Sequence, residues 1–137
     1  MKTLLLAALT SFSFCSSFAQ GANYYNVRDY LEGKGYTISK DVYADIAEGE
    51  TVYYWKTFYA NTTYLIYGFS DDDNVNDLDL YVYYEDGELY THDSEDDATP
   101  VITFTPSYTR TMKVILKNYN STTPDDESRC RFFIVYK

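Results

Sequence analysis

The residues best placed to do chemistry lie between Ser70 and Asp97, in "SDDDNVNDLDLYVYYEDGELYTHDSEDD". That stretch holds twelve carboxylates and no lysine or arginine. Like charges brought together raise one another's pKa and oppose folding. No basic residue intervenes between Lys56 and Arg110, so relief has to come from outside the segment. Three arrangements would supply it. The side chains can all stay in water. Arg110, Arg129 or Arg131 can fold across them. A hard cation can sit among them, since calcium takes six to eight oxygens from carboxylates, amides and backbone carbonyls. The spacing is not that of an EF-hand: counting from Asp71, the fifth position is Val75, the sixth Asn76 and the twelfth Val82.

The element that positions these groups is a β-hairpin. Asp86-Gly87 between two alternating runs is a strong turn signal. With a two-residue loop, Glu85 faces Glu88, Tyr83 faces Tyr90, Tyr81 faces His92 and Asp79 faces Ser94. Those pairs share one face, while Leu78, Leu80, Val82 and Tyr84 point into the core. The register brings the loop before the hairpin and the loop after it to the same end. A calcium ion there would take Asp77, Asp79 and Asp96 as side-chain ligands, with Asp71, Asp73, Asp93 and Asp97 as further candidates. The aromatic face of Tyr81, Tyr83, Tyr90 and His92 is a candidate surface for a sugar or a protein.

The chain has 137 residues and a net charge of −10, enough for one domain. Residues 1–19 read as a secretory signal peptide. Lys2 is the positive start, "TLLLAALTSFSF" is the apolar run, and Ser17 and Ala19 occupy the −3 and −1 positions of a cleavage site. Cys15 departs with it, which leaves Cys130 alone as a small buried residue on the last strand. The acidic balance argues against nucleic acid and anionic membranes, both of which need basic patches. After residue 19, no apolar stretch is long enough to span a membrane. The reading therefore places the protein outside the cytoplasm: secreted, periplasmic or at the cell surface.

Residues 20–42 form an N-terminal helical segment. Asn23 or Asn26 can cap it, Val27, Tyr30 and Leu31 make its apolar stripe, and Gly33 or Gly35 ends it. Residues 43–137 read as strands with turn signals at regular spacing. This predicts an all-β fold, an antiparallel jelly-roll-like β-sandwich of about seven to eight strands. All 17 tyrosines lie beyond the signal segment. They suit strands and leave a polar tip for water or a ligand.

At "VNDLDLYVYYEDGELYTHDS", "PVITFTP", "TMKVILKNY" and "RFFIVYK" the chain resembles the bacterial pre-peptidase C-terminal domain family. The shared features are an acidic "DxDLYVY" strand, a "DG" turn, a polar second strand and an "SFTP"-like strand. The resemblance covers roughly residues 43–137 and implies a jelly-roll-like sandwich, usually an accessory module on secreted hydrolases. Some members of that family, the collagen-binding domains of clostridial collagenases, bind calcium and an extracellular polymer. Asp77 and Asp79 are the matching positions that this resemblance makes possible ligands. The chain departs from the family in having no catalytic domain and in ending on "ESRCRFFIVYK".

No enzyme is expected. His92 is the only histidine, and Ser94 and Asp79 near it make a triad in composition alone. No glycine-rich phosphate loop, CxxC or HExxH occurs. The expectation is a non-catalytic binding or adhesion module, calcium-stabilised, that recognises an extracellular polymer or protein. The alternative is a structural envelope subunit that associates with copies of itself to form a homo-oligomer.

Overall fold

The computed structural model describes residues 22–137; the signal segment 1–19 and its cleavage site lie outside the described residues. One helix, α1 (Tyr24–Gly33), precedes eight strands: β1 (Thr37–Ile46), β2 (Thr51–Phe58), β3 (Tyr64–Ser70), β4 (Val75–Tyr84), β5 (Leu89–Asp93), β6 (Val101–Phe104), β7 (Arg110–Ser121) and β8 (Ser128–Tyr136). They form two four-stranded antiparallel sheets, ordered β1-β8-β3-β6 and β2-β7-β4-β5. This is the strand order of an eight-stranded jelly roll, so the sandwich and the short N-terminal helix are as expected. β1 begins at Thr37, so residues 37–42 belong to the sandwich and not to the helical segment.

The two sheets differ in what covers their outer faces, and the sequence shows why. β3 reads "YLIYGFS" and β8 "SRCRFFIVY", nearly continuous apolar runs, and both are buried on both faces. Continuous apolar strands need a layer on each side. On one side they meet the second sheet through Ile66, Phe132 and Ile134. On the other they meet α1, whose Val27 and Leu31 pack with Leu65, Tyr67, Phe69, Phe133 and Val135. The Asn23 side chain caps this helix by accepting from the Asn26 amide at 3.0 Å, as Ncap residues do. Gly35, at φ +89°, ends the turn that leads into β1.

β2, "TVYYWKTF", alternates strictly between exposed and inward positions, the last of which, Phe58, is fully buried. That period of two is the mark of a strand with one face in water. Its inward residues Val52 and Tyr54 pack on the core with Leu80, Val82, Val114 and Leu116. Its outward residues, with those of β7, β5 and the second half of β4, have no layer over them among the described residues.

The β4–β5 turn differs from the two-residue loop expected. The Gly87 amide donates to the Tyr84 carbonyl at 3.0 Å and the Tyr84 amide to the Glu88 carbonyl at 2.8 Å. Gly87 has φ +90°, while Asp86 keeps a negative φ. A type I′ turn needs positive φ at both central residues; the geometry here is a three-residue loop with a left-handed glycine. Tyr83 therefore pairs with Leu89, and a bulge follows before Val82 pairs with Thr91. The bulge restores the expected pairing of Tyr81 with His92. It also turns Tyr90 inward, where its ring meets Tyr84 at 5.2 Å and Phe104 at 5.3 Å.

Candidate functional site

The carboxylates of the acidic stretch do not share one fate. Asp71 is held by an arginine: Arg131 Nη2 donates to its Oδ2 at 3.0 Å, while Nη1 of the same guanidinium donates to Asp41 Oδ2 at 2.9 Å. Asp93 and Asp97 are taken up by backbone. Asp93 accepts from the Glu95 amide at 3.2 Å and the Val101 amide at 2.9 Å, and Asp97 accepts from the Thr99 amide at 2.9 Å. Such short-range bonds shape turns. Asp73 and Asp96 are exposed.

Asp77 and Asp79 are the exception. They lie two residues apart on the outer face of β4, yet only 6% and 3% of their surface is exposed. The loop after β5 folds back beside them, with the Leu78 amide donating to the Asp97 carbonyl at 2.9 Å. Asp79 Oδ2 accepts from the Tyr81 hydroxyl at 3.2 Å. Oδ1 of Asp77 and Oδ1 of Asp79 are buried without a hydrogen-bond partner among the described residues. Burial, with the charges of Asp79, Asp96 and Asp97, pushes the Asp77 carboxyl up to about 6. Burial also raises Asp79 and Asp97, against the Tyr81 hydrogen bond and the Lys117 charge at Asp79. These two aspartates floor an open cavity of about 710 Å³, walled by Tyr81 and Tyr119 and rimmed by Asp96 and Asn120. Among the described residues, no three His, Cys, Asp or Glu side chains are arranged to hold a metal ion. Asp77 and Asp79 are the pair the structure brings together; Asp96 stands at the rim, Asp97 lies beside them with its carboxylate on the Thr99 amide, and Asp71 and Asp93 are engaged elsewhere.

Next to this cavity the open sheet face carries two cross-strand rows. Tyr53, Ile115, Tyr81 and His92 form one, and Trp55, Lys113, Tyr83 and Leu89 the other. Tyr81 stacks with Tyr83 at 6.2 Å and with His92 at 6.0 Å. The Lys113 ammonium sits 4.3 Å from the Tyr53 ring and 5.6 Å from that of Trp55. Tyr53, Trp55 and Leu89 are between 44% and 56% exposed. Of the aromatic residues expected on this face, Tyr81, Tyr83 and His92 are there; Tyr90 is not, because the bulge directs it to the core side. Tyr53 and Trp55 were missed. The alternation of "TVYYWKTF" carried the signal, but only the β2–β7–β4 neighbour relation places them beside the hairpin.

His92, Ser94 and Asp79 do not form a catalytic triad. His92 Nδ1 lies 3.1 Å from Ser94 Oγ, but Asp79 bonds Tyr81 rather than the imidazole. Cys130 is fully buried, and burial pushes its thiol up to about 12, which keeps it protonated and inert. No helix among the described residues is long and apolar enough to cross a membrane.

No family model matches the sequence, and no curated protein matches it. Among solved structures, the chain is similar in fold to Aeromonas hydrophila PliG, described as a periplasmic lysozyme inhibitor of g-type lysozyme. The TM-score is 0.54 at 10% identity, over 76% of this chain and 90% of that one. At that identity the likeness is one of fold.

Proposed function

We propose that this protein is a secreted, non-catalytic protein-binding module that docks its partner on the open face of the β2-β7-β4-β5 sheet. The observation that carries the reading is the asymmetry of the sandwich. The chain uses α1 to cover one sheet and leaves the other, with Tyr53, Trp55, Tyr81, Tyr83 and Leu89, in water. Tyrosine and tryptophan offer large rigid contact area at small entropic cost and dominate binding hot spots. The net charge of −10 suits a basic partner and speeds encounter with one. The solved structure with a similar fold is an inhibitor of a lysozyme, which makes g-type lysozyme the first partner to try. Its location, by the same reasoning, is the periplasm or the medium beyond it.

The experiment is binding of purified residues 20–137 to g-type lysozyme by interferometry, alongside lysis of peptidoglycan by that enzyme. Micromolar or tighter binding, weakened at least tenfold by Tyr53→Ala/Trp55→Ala, supports the reading. Binding that ignores those substitutions, or none to a panel of basic envelope hydrolases, sinks it. So does concentration-dependent growth in light scattering that the same substitutions abolish, because the face would then be covered by a second copy.

A further inference from the structure

Asp77 and Asp79 present a problem that the rest of the molecule does not solve. Two carboxylates are more than nine-tenths buried, and each keeps one oxygen without a partner. The ion pairs of the described residues join Arg28 to Glu32, Arg129 to Asp45, and Arg131 to Asp41 and Asp71. None reaches this pair. Lys117 is opposite Asp79 in the ladder, but its ammonium rests on the Tyr119 ring, 5.6 Å from the centroid. A buried charge without a counter-ion is costly, and natural proteins keep such groups paired. A proton on Asp77 relieves the pair only at lower pH; a partner that completes it above that range carries positive charge, enters from solvent and tolerates aromatic walls.

We propose that the cavity floored by Asp77 and Asp79 receives an arginine or lysine side chain of the protein partner. This rests on the open face being a docking surface, since the cavity is continuous with it through Tyr81. The two carboxylates supply the acceptors for the incoming donors, and the Tyr81 and Tyr119 rings flank the cation, as aromatic faces do. A calcium ion fits less well. Asp77 and Asp79 converge while Asp96 stands at the exposed rim, no three acidic, histidine or cysteine side chains among the described residues are arranged around one point, and calcium takes six to eight oxygens. The space of about 710 Å³ is that of a side-chain end with its solvent, and a metal ion makes no use of two tyrosine rings.

The test is a titration of residues 20–137 with arginine amide, calcium chloride and sodium chloride at matched ionic strength, followed by backbone NMR shifts. Arginine amide should give saturable shifts at Asp77, Asp79, Tyr81 and Tyr119 that sodium does not reproduce. Asp77→Asn/Asp79→Asn, which keeps shape and removes charge, should abolish them. Tyr119→Ala, at an exposed position, should weaken them several-fold without altering the fold. Saturation by calcium at lower concentration than arginine amide would overturn the proposal in favour of a metal site. No saturable shift with arginine amide would overturn it outright. A partner protein that binds the Asp77→Asn/Asp79→Asn variant as tightly as the parent would also overturn it, while leaving the docking face intact. Arginine amide binding with no protein partner on the face would uphold the pocket and remove the docking reading instead.

Discussion

The Tyr81 hydroxyl donates to Oδ2 of Asp79 at 3.2 Å, and the other oxygen of the same carboxylate lies buried with nothing to accept from. Asp77, one outward position earlier on the strand, likewise keeps its Oδ1 buried without a partner. Tyr81 therefore satisfies one oxygen of one aspartate, and the Lys117 charge offsets the burial of that carboxylate only in part.

This has a pH signature. The Asp77 carboxyl stands at about 6 in the folded protein against an ordinary 3.8. Between those values the native state holds more protons than the unfolded one, so stability falls as pH rises through the window and levels off above it. Asp79, Asp96, Asp97 and Tyr81 act on the same group, and Lys117 acts on Asp79 beside it, so all of them shape the curve. Asp77→Asn should flatten this slope and raise stability at pH 7.5 by about 1–2 kcal/mol. Urea unfolding of both proteins at pH 4.5, 6 and 7.5 measures it. A parallel offset at all three values would show that Asp77 does not titrate there.

Arg131 is the cation that the acidic stretch does obtain. It is 8% exposed, joins Asp41 on β1 to Asp71 after β3, and lies 4.9 Å from the ring centroids of both Tyr24 and Tyr43. Arg131→Ala should cost about 2–3 kcal/mol, less than a fully buried pair because both carboxylates are partly wet. Arg131→Lys should recover only part of this, because an ammonium cannot fork between two acids. Thermal melts at low and high salt separate the two variants.

Residues on the two faces of the hairpin should respond differently to truncation. Trp55→Ala and Tyr83→Ala, on the open face, should change stability by no more than about 1 kcal/mol. Tyr90→Ala, against Tyr84 and Phe104, should cost about 2–3 kcal/mol, below the value for a fully buried ring. If Tyr83→Ala proves the more destabilising, the face assignment is wrong.

Gly68 marks a close approach in the middle of β3. A Cβ there would lie 2.9 Å from Leu116 Cδ1 and 3.0 Å from Pro100 Cγ. The leucine tip can turn aside, but the proline ring cannot. Gly68→Ala should destabilise by about 1–3 kcal/mol, as overpacking does, with the denaturant slope unchanged.

How much of this was legible follows from which residues carry local signals. The alternation of β2 and β4, the continuous runs of β3 and β8, and the Asn23 cap state their roles within a few residues. β1 hid its first half because "TISKD" carries Lys40 and Asp41 within a strand, and Asp41 makes sense only beside Arg131 of β8. The turn at Asp86-Gly87 was visible but its length was not, and that one residue decides which way Tyr90 points. Composition could not sort the acidic residues either. Asp71 and Asp77 look alike in sequence; one lies just past the end of β3, where the Arg131 side chain of the neighbouring strand reaches it, and the other sits opposite an asparagine, Asn120.

The pairing of β1 with β8 joins Thr37 to Tyr136 and Ile46 to Ser128, and it governs when the molecule can fold. Closing a loop of roughly 90 residues is entropically slow, and folds dominated by such distant pairings assemble in milliseconds to seconds. β8 is also the strand that β3 needs on its other edge. A chain delivered from its N-terminus thus cannot complete its first sheet, or seat α1, until residues 128–136 arrive. Up to that moment the β2-β7-β4-β5 sheet has all its strands, while β1 and β3 lack the strand that lies between them. Removal of β8 leaves two unpaired strand edges and a helix deprived of Phe133 and Val135.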